Sequence, residues 1–430
     1  MDSTQTKALM TRERASPPLN VLLFGLGSRG DVHPFFALGQ ALQARGHHIT
    51  FLTLGYFSEQ ARRLGFEVVE VGSADDYLKW ALHPDLWHPR RGFRVMAEIT
   101  RLISATIYRE IEARYEPRRT LIVGTCSIFA ARVAQEKLGV PLVTAVLQPA
   151  LFFSTHESPT LQPFMAGINR YPRWVRRLAM GAAGLTMDRA LGPAVNEFRA
   201  SVGLPPVRNL CDWWFSPQAV VPLFPEWFAA PQPDWPANLR MASFPFYDGS
   251  NFAAPSEELA EFIASGDPPL VFTPGSGARN ARQFFTASVE ACRLLKRRGI
   301  LLTPFEDQIP PLYDEVRHEP FVNLEWLLPR SAAMIHHGGI GTAADALRAG
   351  RPQLLMPMAF DQPDNAARLR RLGVGRSLAP RHFTGPRVAR VLSALLESAE
   401  VASRCRDYAN RLQGAMDLRV GCELIESLGG

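Results

Sequence analysis

Residues 332–365 read AAMIHHGGIGTAADALRAGRPQLLMPMAFDQPDN. Ala332 to Ile335 is short, apolar and bounded by turn residues, as a buried strand is. His336 to Thr342 forms a turn with paired histidines and three glycines, followed by a short helix. Pro352 to Met356 returns as a second apolar strand, and Asp361-Gln362-Pro363 makes a polar turn after it. A strand that runs into glycines and then a helix gathers backbone N–H groups and the positive end of a helix dipole at one point, where a phosphate can sit. The stretch therefore predicts an α/β domain that holds a diphosphate-bearing donor.

The same alternation extends in both directions from this stretch. Upstream, Pro269 to Thr273 reads as a strand, Pro274-Gly275-Ser276-Gly277 as a turn, and Phe284 to Arg298 as a helix stopped by Gly299. Ile300 to Thr303 and Phe321 to Leu324 read as further strands, and helices are predicted from Pro386 onward. The first half repeats the pattern. Asn20 to Gly25 (NVLLFG) is a strand, the turn runs from Leu26 to Pro34, Phe35, Leu38 and Leu42 recur at helical spacing, and His47 to Leu54 is the next strand. Glu67 to Val71, Leu121 to Gly124 and Pro141 to Val146 follow, with a helix over Ile128 to Leu138 between the last two. Strands alternating with helices argue for parallel, doubly wound sheets. Asp212 to Pro236 is rich in proline and aromatics with little periodicity, which suits a connection packed by its own rings.

At 430 residues the chain is too long for one ordinary core, so two domains are expected. The division is 19–235, a connection at 236–250, and 251–430 with C-terminal helices. Residues 1–18 are polar and charged without an apolar core, which reads as a disordered leader rather than a signal peptide. The net charge of +6 suits an anionic ligand or a membrane surface, but the basic residues are dispersed, which argues against nucleic acid. The one basic cluster, RYPRWVRR at Arg170 to Arg177, reads as a solvated helix face, with an amphipathic surface element carrying Trp174 as the rival reading. The five cysteines are scattered and odd in number, so neither a disulfide framework nor a zinc site is expected, and a reducing cytoplasm fits.

Several side chains could carry chemistry. The backbone at Gly339, Gly341 and Thr342 permits close approach of an anion. His336 or His337 could donate a hydrogen bond to it, and Ser276 stands in a second turn at a strand end. Asp361 and Gln362 could read sugar hydroxyls or simply cap a helix. In the first half, Asp31 stands in the turn after the first strand, where it could deprotonate an acceptor hydroxyl or cap the following helix; His33 is the competing base. Gly25 to Gly30 satisfies G-x-G-x-x-G, but the strand after it ends in Gly55 with no acidic residue for a ribose, which argues against a dinucleotide. The chain has no D-x-D triplet, no G-x-S-x-G and no P-loop motif, which lowers the metal-nucleotide, hydrolase and NTPase readings.

HHGGIGT, followed by AGRPQLLMP and DQPDNAARLRRLGVG, resembles the donor-binding motif of nucleotide-diphosphosugar glycosyltransferases of the GT-B fold. GSRGDVHPFFALGQAL resembles the N-terminal signature of their bacterial antibiotic and sterol branch. Within that family, ARVAQEKLGVP, VFTPGS, SPQAVVPLFPEWFAAPQPDWP and MASFPFYDGS are similar to the rhamnosyltransferase B chains of rhamnolipid synthesis. The resemblance implies two Rossmann-like domains facing a cleft, the first binding the acceptor and the second the donor. It implies inverting, metal-independent transfer of L-rhamnose from dTDP-L-rhamnose to a 3-(3-hydroxyalkanoyloxy)alkanoate, without a cofactor. Asp31 is implied as the base. His336, with the backbones of Gly339, Gly341 and Thr342, is implied at the diphosphate, with His337 as its neighbour; Ser276 helps, and Asp361 and Gln362 meet the sugar. Where plant relatives carry W-x-P-Q around the base, this chain has Trp326-Leu327-Leu328-Pro329, so the base contacts stay unassigned.

The expected acceptor pocket has apolar walls, with Phe152, Phe153, Trp213, Trp214 and Phe215 as candidates. The expected location is the cytoplasm, with peripheral contact at the inner membrane or with a membrane-associated synthesis partner. Three alternatives stay open: a polyketide, sterol or other hydrophobic acceptor, a nucleotide-sugar epimerase that needs no acceptor, and a non-catalytic partner subunit.

Overall fold

The computed structural model describes residues 18–88, 91–247, 255–413 and 418–429. The leader expected over residues 1–18, apart from Pro18, lies outside the described residues, as do positions 248–250 of the connection and 251–254 after it. Two six-stranded sheets account for the architecture. The first contains β1 (Asn20–Gly25), β2 (His48–Leu54), β3 (Glu67–Gly72), β4 (Thr120–Thr125), β5 (Leu142–Val146) and β6 (Ala219–Pro222), in the order β3-β2-β1-β4-β5-β6. The second contains β7 (Leu270–Thr273), β8 (Gly299–Leu302), β9 (Val316–Glu319), β10 (Ala333–His336), β11 (Gln353–Leu355) and β12 (Gly375–Ser377), in the order β12-β11-β10-β7-β8-β9. Renumbered from its own first strand, the second sheet has the same order as the first. Every pairing is parallel.

The central strands are apolar on both faces because helices cover both. Val21, Leu22, Leu23 and Phe24 of β1 are all fully buried, as are Ala333, Met334 and Ile335 of β10. Each large side chain among them contributes about 1.5–3 kcal/mol by leaving water. In both sheets the strand order reverses between the first and fourth strands, so β1/β4 and β7/β10 are the switch points. Beyond the carboxyl ends of such strands the two flanking connections diverge and leave a crevice.

Four sequence expectations change. The first helix begins at Arg29 and runs to Ala44, so Pro34 lies inside it rather than before it. A proline this near the N-terminus removes only one intrahelical hydrogen bond, and the helix continues past it. Phe321 to Leu324 is not a strand; β9 is Val316–Glu319, whose VRHE sequence carries too little apolar signal for an edge strand to be recognised. The aromatic stretch from Asp212 contains β6, a four-residue AVVP segment between prolines that completes the first sheet. β12, only three residues long, was not anticipated.

The two halves meet extensively. The helix Gln362–Leu372 of the second half sends Asp364 to accept from the Thr160 backbone N–H at 2.9 Å, while Arg368 bonds Asp364 at 2.7 Å and Glu157 at 2.9 Å. Arg371 also reaches Glu157. The last helix, Arg419–Glu426, packs against Arg29–Ala44 and β6 in the first half, where Glu426 accepts from Arg45 and contacts His47.

Candidate active site

One cavity of about 1190 Å³ lies between the halves, at the carboxyl ends of both sheets. The turns after β1, β4, β7 and β10 all contribute to its wall, so both switch points open into the same space. The halves approach closely here: a Cβ placed on Gly341 would lie 3.8 Å from the Gly30 Cα.

On the first side, Asp31 occupies the third position of the helix Arg29–Ala44. Its Oδ2 accepts from the Ser28 backbone N–H at 2.9 Å and from the Ser28 hydroxyl at 2.8 Å. The capping role weighed from sequence is thus present, and it occupies one oxygen only; no hydrogen bond to Oδ1 is found among the described residues. Burial pushes the Asp31 carboxyl above its ordinary value, against the pull of the two Ser28 bonds. A raised pKa makes a carboxylate a stronger base. His33 also lines the cavity, wedged between Phe36 and Tyr247 at centroid distances of 5.9 and 5.1 Å. Its Nε2 is buried without a partner, and burial, helped by the charge of Arg29, lowers its pKa to about 4.

On the second side, the two histidines separate. His336 does not line the cavity. It ends β10 fully buried, its Nδ1 accepting from the Gly338 N–H at 3.1 Å, which leaves Nε2–H to donate to Gln353 Oε1 at 3.0 Å. The expected contact of His336 with a diphosphate is therefore corrected: alternation along a strand turns this side chain into the core and its neighbour outward. His337 is the one in the wall. It is packed tightly between two glycines. A Cβ on Gly275, whose φ is +101°, would lie 3.0 Å from the ring, and one on Gly339 would lie 2.5 Å from Nε2. The His337 Nδ1 has no partner, and burial lowers the pKa to about 4, so the ring is neutral at neutral pH.

Gly339 caps the helix Ile340–Arg348, so the first-turn amides of Ile340, Gly341 and Thr342 lie at its positive end beside His337. Ser276, in the turn after the neighbouring strand β7, lines the same cavity. Asp361 and Gln362 line the cavity as well. The Gln362 Oε1 accepts from the Met358 and Ala359 backbone at 2.8 and 3.2 Å, holding its own loop and leaving the amide nitrogen as the donor. Asp361 has its pKa raised to about 7, first by burial and then by the charge of Asp31 across the cleft; a hydrogen bond from Asn365 opposes the rise. The two carboxylates, one from each half, thus feel one another.

Residues of the cavity wall and of the buried layer behind it include some that the sequence did not single out, Phe360 in the wall and Asn365 fully buried behind it. Asn365 donates to both Gly338 O (2.9 Å) and Asp361 Oδ2 (2.7 Å), tying the glycine turn to the acid. Its place in DQPDN was the only available signal. Phe360 has φ of +57°, a costly conformation for a bulky residue, and its ring meets Trp87 and Phe93 of the first half edge-on. The Arg29 guanidinium lies 4.5 Å from the Phe321 ring, again across the cleft. Of the five aromatics expected around the acceptor, Phe153 and Trp214 reach the cavity. Phe152 and Phe215 instead stack with each other, Phe152 also against Trp235 at 4.0 Å, and Trp213 lies against Arg132 and Arg199. Away from the turns the cavity is apolar, lined by Ile99, Ile103, Met165, Met187 and Leu191 among others.

Comparison with known proteins agrees with this architecture. Residues 21–152 match the family model of the glycosyltransferase family 28 N-terminal domain, and 303–415 match that of the erythromycin biosynthesis protein CIII-like C-terminal domain. The chain is 29% identical over 429 residues to the O-mycaminosyltylonolide 6-deoxyallosyltransferase of Streptomyces fradiae, covering 95% of this chain and 97% of the relative. Among solved structures it superposes on the glycotransferase of kitacinnamycin with a TM-score of 0.72 at 19% identity, covering 96% of this chain and all of that one. It also superposes on a spinosyn rhamnosyltransferase complexed with thymidine diphosphate, with a TM-score of 0.64 at 18% identity, over 96% of this chain and all of that one.

Proposed function

The chain is a glycosyltransferase of the GT-B type, and from that premise we propose that it transfers L-rhamnose from dTDP-L-rhamnose, with inversion, to the hydroxyl of a 3-(3-hydroxyalkanoyloxy)alkanoate. The observation that carries this reading is the meeting of Asp31 and the His337 glycine turn in one cavity whose remaining wall is apolar. A lipid-like acceptor needs such a wall, and a leaving diphosphate needs such a turn.

In this reading the Asp31 carboxylate takes the proton of the acceptor hydroxyl, and the oxygen attacks the anomeric carbon from the face opposite the diphosphate. Negative charge grows on the leaving group, where the amides of Gly341 and Thr342 and an N–H of His337 meet it without rearrangement; one such donor is worth about 3 kcal/mol of barrier. Asp361, protonated below about pH 7, and the Gln362 amide donate to sugar hydroxyls. The deoxyhexose named in the Streptomyces fradiae relative and the rhamnosyl group and thymidine diphosphate named for the spinosyn enzyme support the donor class. The same names favour a second reading, in which the acceptor resembles the glycosylated tylonolide of that relative.

A screen of purified chain with dTDP-L-rhamnose against hydroxyacyl and polyketide or sterol acceptors separates the two. Transfer confined to the second group would remove the lipid assignment. A sugar product formed without any acceptor would indicate an epimerase, and no turnover at all would indicate a non-catalytic partner. Asp31→Asn should lower kcat by 10²- to 10⁴-fold while thymidine diphosphate still binds; wild-type turnover in that variant would exclude Asp31 as the base.

A further inference from the structure

The apolar end of the cavity reaches the surface on the helix Arg173–Ser201. That helix turns Ala179, Ala183, Met187 and Leu191 toward the cavity, together with Ala182 and Thr186, which are themselves exposed. Phe164, from the turn before the helix, also lines the cavity and is 84% exposed. Residues that line a cavity and still face solvent mark its mouth, so the apolar end is open beside these three side chains.

What surrounds that mouth is unusual for a free surface. Trp174 and Leu178, both 66% exposed, precede Ala182 at successive helical turns, and exposed Leu185 follows it. Spacings of four, four and three place all of them on one stripe of the helix. The stripe of the mouth is thus continuous with a stripe of large apolar groups. Arg173 and Arg177 stand one residue before Trp174 and Leu178, about 100° around the helix, and exposed Arg170 and Tyr171 lead into it. From Ser158 to Met187 the chain has four arginines, at 170, 173, 176 and 177, and neither Asp nor Glu. Arg173 and Arg176 bond to Thr155 and His156 at the edge of the loop; no partner is found for Arg170 or Arg177 among the described residues. Monomeric soluble surfaces seldom gather large apolar side chains in this way. A helix with an apolar stripe beside a purely cationic one has the form that lies in the interface of an anionic membrane, rings at headgroup depth and guanidinium groups among phosphates.

We propose that this face, Trp174, Leu178 and Leu185 with Arg170 and Arg177, docks on an anionic phospholipid bilayer and seats the apolar mouth of the cavity on the lipid. An amphiphilic acceptor then enters the cavity, and its glycosylated product leaves, without passing its chains through water. The docking itself is independent of which sugar is moved; the entry route rests on the amphiphilic acceptor proposed above.

The test is cosedimentation of the full chain with vesicles of phosphatidylcholine alone and with 30% phosphatidylglycerol. Binding is expected to the anionic vesicles and at least tenfold weaker to the neutral ones, and to weaken in 0.5 M salt. Trp174→Ser/Leu178→Ser and Arg170→Gln/Arg177→Gln should each lower vesicle binding at least tenfold while keeping the wild-type melting temperature and the wild-type rate on a short, water-soluble acceptor. With acceptor embedded in vesicles, the same variants should lose most of their rate. No binding of wild type to anionic vesicles, or equal binding by the variants, would refute the proposal. So would a wild-type dimer, insensitive to vesicles, that the Trp174→Ser/Leu178→Ser change dissociates, because the face would then cover a second copy. Vesicle binding as expected together with no transfer to any hydroxyacyl lipid would leave the docking intact and discard the acceptor.

Discussion

Asp361 shows how a single residue can respond to the whole cleft. Its carboxyl would ionise near 3.8 in an unfolded chain, and in the folded one it is pushed up to about 7 by burial and by Asp31. The folded state therefore holds a proton that the unfolded state has released between about pH 4 and 7, so the free energy of unfolding should fall as pH rises through that window and level off above it. One pKa unit corresponds to about 1.36 kcal/mol, and contact with cleft water reduces the full value, so the expected loss from this group is on the order of 2 kcal/mol. Asp361→Asn should flatten that part of the curve. Urea midpoints for both proteins at pH 5 and pH 8 measure it, and parallel behaviour of the two would mean that Asp361 titrates as an ordinary aspartate. Asp31 carries a raised pKa for the same first reason, so the acid limb of the rate profile should lie above the ordinary carboxylate range.

At the scale of the element, the segment from β10 into the helix Ile340–Arg348 assigns its paired histidines opposite duties. His336 braces the turn from inside through Gly338 and Gln353, and His337 faces the cavity between Gly275 and Gly339. His337→Ala should cost about 3 kcal/mol in the barrier, roughly a hundredfold in kcat, with little change in melting temperature. His336→Ala leaves the buried Gln353 oxygen without its donor and should cost about 1–3 kcal/mol of stability. Thermal unfolding and steady-state kinetics on the two variants separate these effects; a reversed pattern would return the donor contact to His336. Periodicity made the strand, the turn and the helix legible, and the glycines marked where an anion can approach. Which of two adjacent histidines faces outward depends on the end of β10 and its register with β7 and β11, where His336 pairs with Thr273 and Leu355. That register is a tertiary property.

At the scale of the molecule, catalysis as proposed needs groups from both halves held at one distance. The Asp364–Arg368–Glu157 cluster, joined by Arg371 and the Thr160 backbone, holds the helix that begins at Gln362 to the loop after β5. Arg368→Met would leave the Asp364 carboxylate buried and unpaired, at a cost of about 3–5 kcal/mol, whereas Asp364→Leu/Arg368→Met should recover a large part of it. Chemical denaturation of the two variants tests this, and equal losses would mean that the cluster is not coupled. The sequence by itself determined the doubly wound α/β class, the two halves, and the strand-end turns that hold Asp31, Ser276 and the glycines, because these follow from local periodicity and from where chain reversal needs glycine. Only the tertiary structure decided that His337 and not His336 faces the cleft, that Phe153 and Trp214 but not Phe152, Trp213 and Phe215 wall it, that Phe360 lines it, and that Asn365 braces Gly338 and Asp361 from behind it. Those assignments depend on which side chains meet across strands and between halves, and contacts between residues hundreds of positions apart leave no periodic trace in the chain.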